Sequence, residues 1–299
     1  MNHVKPKVTV LLAAYNGMEW LDEQVQTILS QLHVDINLVV SIDKSNDGTE
    51  NYFKNLAKQD PRVFVLPTGF RYGGAGSNFY RLLRDTDFLS SDYISFADQD
   101  DLWNLDKLKF SIERIEETNS SAFSSNVTAF WNDGSTYLIN KSQKQREWDY
   151  WFESAGPGCT FVLSKELAID LKKFCLEYSC ELNEFLLHDW FVYAFARVNG
   201  YKWHISPKST MQYRQHENNQ VGANNNLKAY IKRIAQLREG SYRSQIVILQ
   251  RLLAHNNSIL KIPEKGYFST LRLLFVSCHF RRRLRDRIAL QVFIILNLF

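Results

Sequence analysis

The chain has 299 residues, 45% apolar and 23% charged, with a net charge of +4. That length holds one large domain or two small ones and buries a full core, and the composition excludes a disordered or fibrous chain. Six arginines and one aspartate between Leu271 and Phe299 give +5, so the remainder nets −1; a near-neutral body with a basic tail excludes a nucleic-acid-binding domain from the expectations.

Val8 to Ala14 is a continuous apolar run, as a strand buried in a parallel sheet requires. Tyr15-Asn16-Gly17 turns the chain into a helix with Leu21, Val25, Ile28, Leu29 and Leu32 on one face. A second strand, Leu38 to Ile42, ends in a loop of turn formers from Asp43 to Thr49. A helix over about Glu50 to Lys58 and a third strand, Arg62 to Leu66, precede a loop carrying Gly69, Gly73, Gly74 and Gly76. A helix near Asn78 to Arg84 leads to the fourth strand, which begins at Tyr93 and runs into Asp98-Gln99-Asp100-Asp101.

Strands alternating with helices at this spacing predict a parallel α/β sheet. Three successive strand ends then deliver Tyr15/Asn16, Asp43/Asp47 and Asp98 to Asp101 to one edge, where such sheets bind ligands. Three carboxylates within four positions repel one another, so the knot is either solvated or bound to a cation. Hard divalent ions take such oxygens together with substrate phosphates.

After a helix over about Leu105 to Thr118 the pattern changes. Strand-like pieces at Ala122 to Trp131 and Thr136 to Ile139, and an aromatic cluster at Trp148 to Phe152, precede Gly156-Pro157-Gly158-Cys159-Thr160. Small residues there allow close approach of backbone or ligand. Helices follow at Lys165 to Cys175 and from near Asn183 through His188-Asp189-Trp190. Lys202 to Ile205 reads as a strand, and a polar run from Tyr213 to Asn219 contains Arg214 and His216. Leu227 to Leu260 and Gly266 to Phe299 read as helical. The four cysteines (159, 175, 180 and 278) have no CxxC spacing and read as reduced cytosolic thiols. A strand beginning almost at the first residue leaves no signal peptide, and the apolar run from Ile288 to Phe299 is too short to span a bilayer.

Four of these segments together resemble bacterial glycosyltransferase family 2. Val10 to Gly17 is similar to its first strand and turn, and Ser41 to Thr49 to its nucleotide-binding loop. Phe96 to Trp103 resembles its DXD region, in the form seen in rhamnosyltransferase-like enzymes of O-antigen and capsule assembly, and His188-Asp189-Trp190 the segment carrying its catalytic base. The resemblance covers Lys7 to Gly222, with Ile42 where an acidic residue is common and Lys44 where a small one is.

What the resemblance implies is a GT-A fold over residues 1–222, with a mostly parallel, Rossmann-like sheet flanked by helices, and a C-terminal helical region over 223–299. It implies an inverting, metal-dependent transfer of a hexose, rhamnose from dTDP-rhamnose being the expectation, to a hydroxyl of a growing lipid-linked surface polysaccharide. The donor nucleotide would meet Ala14, Tyr15, Asn16, Asp43, Asp98 and Gln99. Asp100 would ligate Mg²⁺ or Mn²⁺, with His216 as a second ligand or a structural residue. Asp189 would be the base, and Gly158, Cys159, Thr160, His188 and Trp190 would form the acceptor side. Read alone, Asp43 has the alternative role of an Asx turn, Tyr15 serves equally as a core aromatic, and Asp189 reads first as a surface acid on an amphipathic helix.

In the tail, Leu273, Val276, Phe280, Leu284 and Ile288 fall on one helical stripe flanked by Arg281 and Arg285. An arginine-rich amphipathic helix suits the inner face of the bacterial cytoplasmic membrane, so truncation after Lys265 is expected to leave a soluble enzyme. The competing readings are a helix packed on the catalytic domain and a homodimer contact. Two other functions share the strand-end chemistry or the tail: a nucleotidyltransferase-like metal-diphosphate enzyme, and a non-catalytic polysaccharide-assembly protein.

Overall fold

The computed structural model describes residues 4–216, 241–253, 263, 266–296 and 299. In chain order its first half runs β1 (Lys7–Ala14), α1 (Leu21–Leu29), β2 (Asp35–Ile42), α2 (Thr49–Gln59), β3 (Val63–Val65), α3 (Ala75–Asp85), β4 (Tyr93–Ala97), β5 (Leu102–Trp103) and α4 (Lys107–Glu117). There follow β6 (Ala122–Ser125), β7 (Val127–Phe130), β8 (Thr136–Ile139), β9 (Val162–Ser164), α5 (Lys165–Glu177), α6 (Ser179–Leu182), α7 (His188–Val198), β10 (Trp203–Ser206) and β11 (Met211–Arg214). Three helices close the described chain: α8 (Ser241–Leu253), α9 (Tyr267–Leu271) and α10 (Leu284–Ile295).

β1 is apolar on both faces because both faces are covered: every residue after Lys7 is buried. It pairs in parallel with β2 and β4, and the seven-stranded sheet has the order β10-β6-β9-β4-β1-β2-β3. β9 alone runs antiparallel to its neighbours, between β4 and β6. One core lies on the side of α3, α5 and α7, around Phe79, Phe161 and Phe191. The other, with α1, α2 and α4, gathers Val25, Phe53 and Leu108.

The structure corrects several boundaries. The stretch from Ala122 to Trp131 is two strands in two sheets, β6 in the large one and β7 in a four-stranded sheet ordered β5-β11-β7-β8. Asn126 makes the break: its Nδ2 donates to Pro207 O, and its Oδ1 accepts from the amides of Lys141 and Ser142. The helix bearing Asp189 starts at His188, not near Asn183.

The tail stripe also divides. Leu273 and Phe280 are buried, whereas Leu284 and Ile288 are exposed. Arg272–His279 is a 3₁₀ helix with three residues per turn, and the chain breaks helix again before α10, so a 3.6-residue period loses its phase. Arg281 donates to Phe152 O and the Tyr242 hydroxyl instead of flanking a solvated face. Ile246, Leu249, Phe280 and Phe299 belong to the same core as Phe79. The boundary expected at residue 222 lies outside the described residues, as does much of the helix expected from Leu227 to Leu260.

Candidate active site

Register builds the site. Ala14 stands opposite Ile42, and Leu12 opposite Ala97, so Tyr15, Asp43 and Asp98 leave the sheet at one edge. Side chains then stitch the loops together. The Gln99 amide pairs with Tyr15 as a strand would: Tyr15 N donates to Oε1 at 2.7 Å, and Nε2 donates to Tyr15 O at 2.9 Å. Asn16, at a φ of 45° that asparagine tolerates, donates its N–H to Ser45 Oγ and accepts from Asn46 N at Oδ1. Asp47 accepts from Met18 N and from both donors of Thr49, the turn role its sequence suggests. Ala14 is buried, and its carbonyl accepts from Asp43 N.

The Asp43 carboxylate is buried and accepts three amides, from Lys44 and Tyr72 at 2.8 Å and from Gly73 at 2.9 Å. It therefore anchors the glycine-rich loop across the cleft mouth, a partner that local sequence did not reveal. Gly73 sits at φ 84°, where a side chain would be strained. Tyr15 is 53% exposed, so it does not fill the core.

The acidic knot splits by direction. Asp100 Oδ2 lies 2.8 Å from His216 Nε2, so the two expected metal ligands meet. His216 stacks on Trp20 with ring centroids 4.2 Å apart, and Arg214 Nε donates to Asp100 O. Asp101 is fully buried and accepts from Arg214 N at 3.2 Å; its Oδ2 has no hydrogen-bond partner among the described residues. It is not a helix-terminal surface charge, because α4 begins only at Lys107. Burial, Asp100 and Asp98 push the Asp101 carboxyl well up. Burial, then Asp100, pushes Asp98 up to about 7, while Cys159 opposes this. One ligand atom each of Asp98, Asp101 and Cys159 lie within 4.8 Å of one another. An orphaned carboxylate oxygen among crowded acids is a hard-donor set that fits a divalent cation.

Facing the knot is the start of α7. Asp189 Oδ1 accepts from Trp190 N at 2.7 Å. Burial pushes the Asp189 carboxyl up to about 6, and the Trp190 amide and the Lys141 ammonium act against it. Asp98 also feels the Asp189 charge. His188 stacks on Phe79 at 4.0 Å, and burial pulls its pKa down to about 3, so the imidazole is neutral. A Cβ on Gly158 would stand 2.5 Å from His188 Nε2 and 3.3 Å from Asp189 Cβ, so any side chain there would displace the His188 ring.

The other acceptor-side candidates are placed differently. Trp190 is a core anchor, donating Nε1–H to Tyr150 O and stacking on Tyr242. Cys159 is fully buried beneath Asp98 and Asp101, and Thr160 turns its hydroxyl to Pro157 O. Both side chains are fully buried. Sequence reasoning passed over Trp20, Tyr72 and Lys141, which reach the site only through long-range packing.

The family model for glycosyl transferase family 2 matches residues 9–171. The chain is 42% identical over 289 residues to the dTDP-rhamnosyl transferase RfbG of Shigella flexneri, covering 96% of this chain and all of that one. It is 27% identical to the UDP-Glc:alpha-D-GlcNAc-diphosphoundecaprenol beta-1,3-glucosyltransferase WfgD of Escherichia coli, over 54% of this chain and 61% of that one. The crystal structure of S. aureus TarS 1-349 in complex with UDP-GlcNAc superposes with a TM-score of 0.58 at 16% identity, covering 91% of this chain and 72% of that one. The chain belongs to glycosyl transferase family 2, and its fold is GT-A. It is a glycosyltransferase.

Proposed function

We propose that the protein moves rhamnose from dTDP-rhamnose to a hydroxyl of a growing, lipid-linked bacterial surface polysaccharide, with inversion at the anomeric carbon. The full-length 42% identity to a dTDP-rhamnosyl transferase carries this reading. Asp189, raised to about 6 yet ionised at neutral pH, accepts the acceptor hydroxyl's proton as its oxygen attacks. One displacement needs one base, unlike the paired carboxylates of a glycosidase. Tyr15, Asn16, Asp98, Gln99 and the loop anchored by Asp43 hold the nucleoside end. Asp100 and His216, with Asp98 and the orphaned oxygen of Asp101 beside them, would hold Mg²⁺ or Mn²⁺, which would supply positive charge to the departing diphosphate.

Peripheral attachment to the inner membrane face is part of the proposal. Phe268 is 83% and Phe275 90% exposed, and Leu284, Ile288, Ile295 and Leu296 are exposed beside Arg272 and Arg285. Among the described residues no helix is long and apolar enough to cross a membrane.

The test is thermal shift against dTDP, UDP and GDP compounds with and without Mg²⁺ or Mn²⁺, followed by transfer from dTDP-rhamnose to extracted lipid-linked glycans. A metal-dependent shift with dTDP compounds, lost in Asp100→Ala, is expected. A shift with UDP compounds alone would replace the donor, and full activity in Asp189→Ala would remove Asp189 as base.

A further inference from the structure

The turn that follows β1 is held from two sides. On one side is the loop after β2. Ser45 Oγ accepts from Asn16 N at 3.0 Å, Thr49 Oγ1 from Gly17 N at 2.9 Å and Asp47 Oδ2 from Met18 N at 3.0 Å, while Asn46 N donates to Asn16 Oδ1 at 2.9 Å. On the other side is the acidic loop, through Gln99. Its Oε1 accepts from Tyr15 N at 2.7 Å, and its Nε2 donates to Tyr15 O at 2.9 Å. A Cβ on Gly17 would stand 2.6 Å from Gln99 Oε1 and 2.9 Å from its Cδ, so the backbone of the turn lies directly against this amide.

Gln99 stands in the chain between Asp98 and Asp100, whose Cα atoms are each about 3.8 Å from its own. Those two side chains go elsewhere. Asp100 Oδ2 meets His216 Nε2 at 2.8 Å, and a carboxylate oxygen of Asp98 lies within 4.8 Å of ligand atoms of Asp101 and Cys159. The residue tied to the turn therefore shares its peptide units with two carboxylates offered to the cation. The tie calls for an amide. Tyr15 presents one donor and one acceptor, and glutamine matches both with one planar group. Glutamate has the same length, but it would set a carboxylate against the Tyr15 carbonyl and add a fourth negative charge to the knot.

We propose that Gln99 is a positioning residue that couples the two ends of the donor site, setting the Tyr15 turn by the place of the Asp98–Asp100 backbone, so that nucleotide and divalent cation tighten each other's binding. This role rests on the donor and metal reading above and is exerted through Tyr15. Without a cation Asp98, Asp100 and Asp101 repel one another; a cation draws them together, and the peptide units of Gln99 move with them. The Gln99 amide carries that setting to Tyr15, and the hydrogen bonds of residues 16–18 carry it to the loop of residues 45–49. The coupling acts equally in both directions, as a free energy shared by two binding events must. Direct contact of the diphosphate with the cation also couples the two ligands. That part is common to the wild type and a Gln99 variant, so the difference between them isolates Gln99.

The experiment is a Mn²⁺ titration of the full chain, read by the electron paramagnetic resonance of the free ion, with and without saturating dTDP. The ratio of the two Mn²⁺ dissociation constants is the coupling factor. Gln99→Met should bind Mn²⁺ alone as the wild type does and lose about fivefold or more of the coupling factor. Gln99→Glu should bind Mn²⁺ alone more tightly, through its added charge, and still show a reduced factor. The reverse titration, of dTDP with and without Mn²⁺, should give the same ratios. A coupling factor in either variant equal to that of the wild type would overturn the proposal. So would a loss of Mn²⁺ affinity in Gln99→Met that is the same with and without dTDP, which marks a structural or direct metal role, or a wild type that binds no Mn²⁺. A wild type that binds Mn²⁺ but no dTDP would strike the donor reading instead.

Discussion

At Asp189, burial outweighs an amide hydrogen bond and a nearby ammonium, and the rate should carry that signature. Activity should rise through pH about 6 as the base ionises, then level off. Lys141→Met removes a charge that lowers this pKa, so the midpoint of the pH–rate profile should move up. Asp189→Asn should lose about 10²–10⁴-fold in kcat with dTDP binding intact. Its stability follows from the sign of the shift. A carboxyl raised in the folded state stabilises fully below its unfolded pKa, and that contribution is lost as pH rises through about 6. At pH 7.5 the neutral amide should therefore hold or raise Tm. Gly158→Ala puts a methyl group 2.5 Å from His188 Nε2. Overpacking of this kind costs about 1–3 kcal/mol, and the displaced base should lower kcat more than it alters dTDP affinity.

At the scale of elements, the sheet was legible because strands covered on both faces read as largely apolar runs, as β1, β2 and β4 do. The elements that went astray are those whose neighbours come from far along the chain. β9 is only three residues long and takes its place from its antiparallel partners β4 and β6. The tail stripe failed because it assumed one helix where the structure has a 3₁₀ segment, a break and α10. Its two halves should respond oppositely. Phe280, fully buried and stacked on Phe152 at 4.1 Å, should cost about 3–5 kcal/mol when cut to alanine, read by urea denaturation. Phe275→Ser should stay within about 0.5 kcal/mol yet weaken co-sedimentation with anionic vesicles.

For the whole molecule, the tail is structural. Removing everything after Lys265 strips Leu273, Phe280, Leu290, Ile294 and Phe299 from a core shared with Phe79 and Phe191. The truncated chain should aggregate or lose its cooperative transition, not remain a soluble enzyme; a monodisperse product with unchanged Tm would contradict the shared core.

The sequence by itself determined the sheet, the edge at which its loops gather, and the family. Strand periodicity and short motifs are local properties, and a parallel sheet sends its strand ends to one side whatever its details. Only the tertiary structure decided which polar atoms are already engaged: Asp43 with the amides of residues 72 and 73, Gln99 with Tyr15, Asp101 with the amide of Arg214. It likewise decided that Trp190 is core. Burial and pairing depend on groups as much as 191 positions apart in the chain, as Glu23 and Arg214 are, and no local pattern encodes who meets whom at that range.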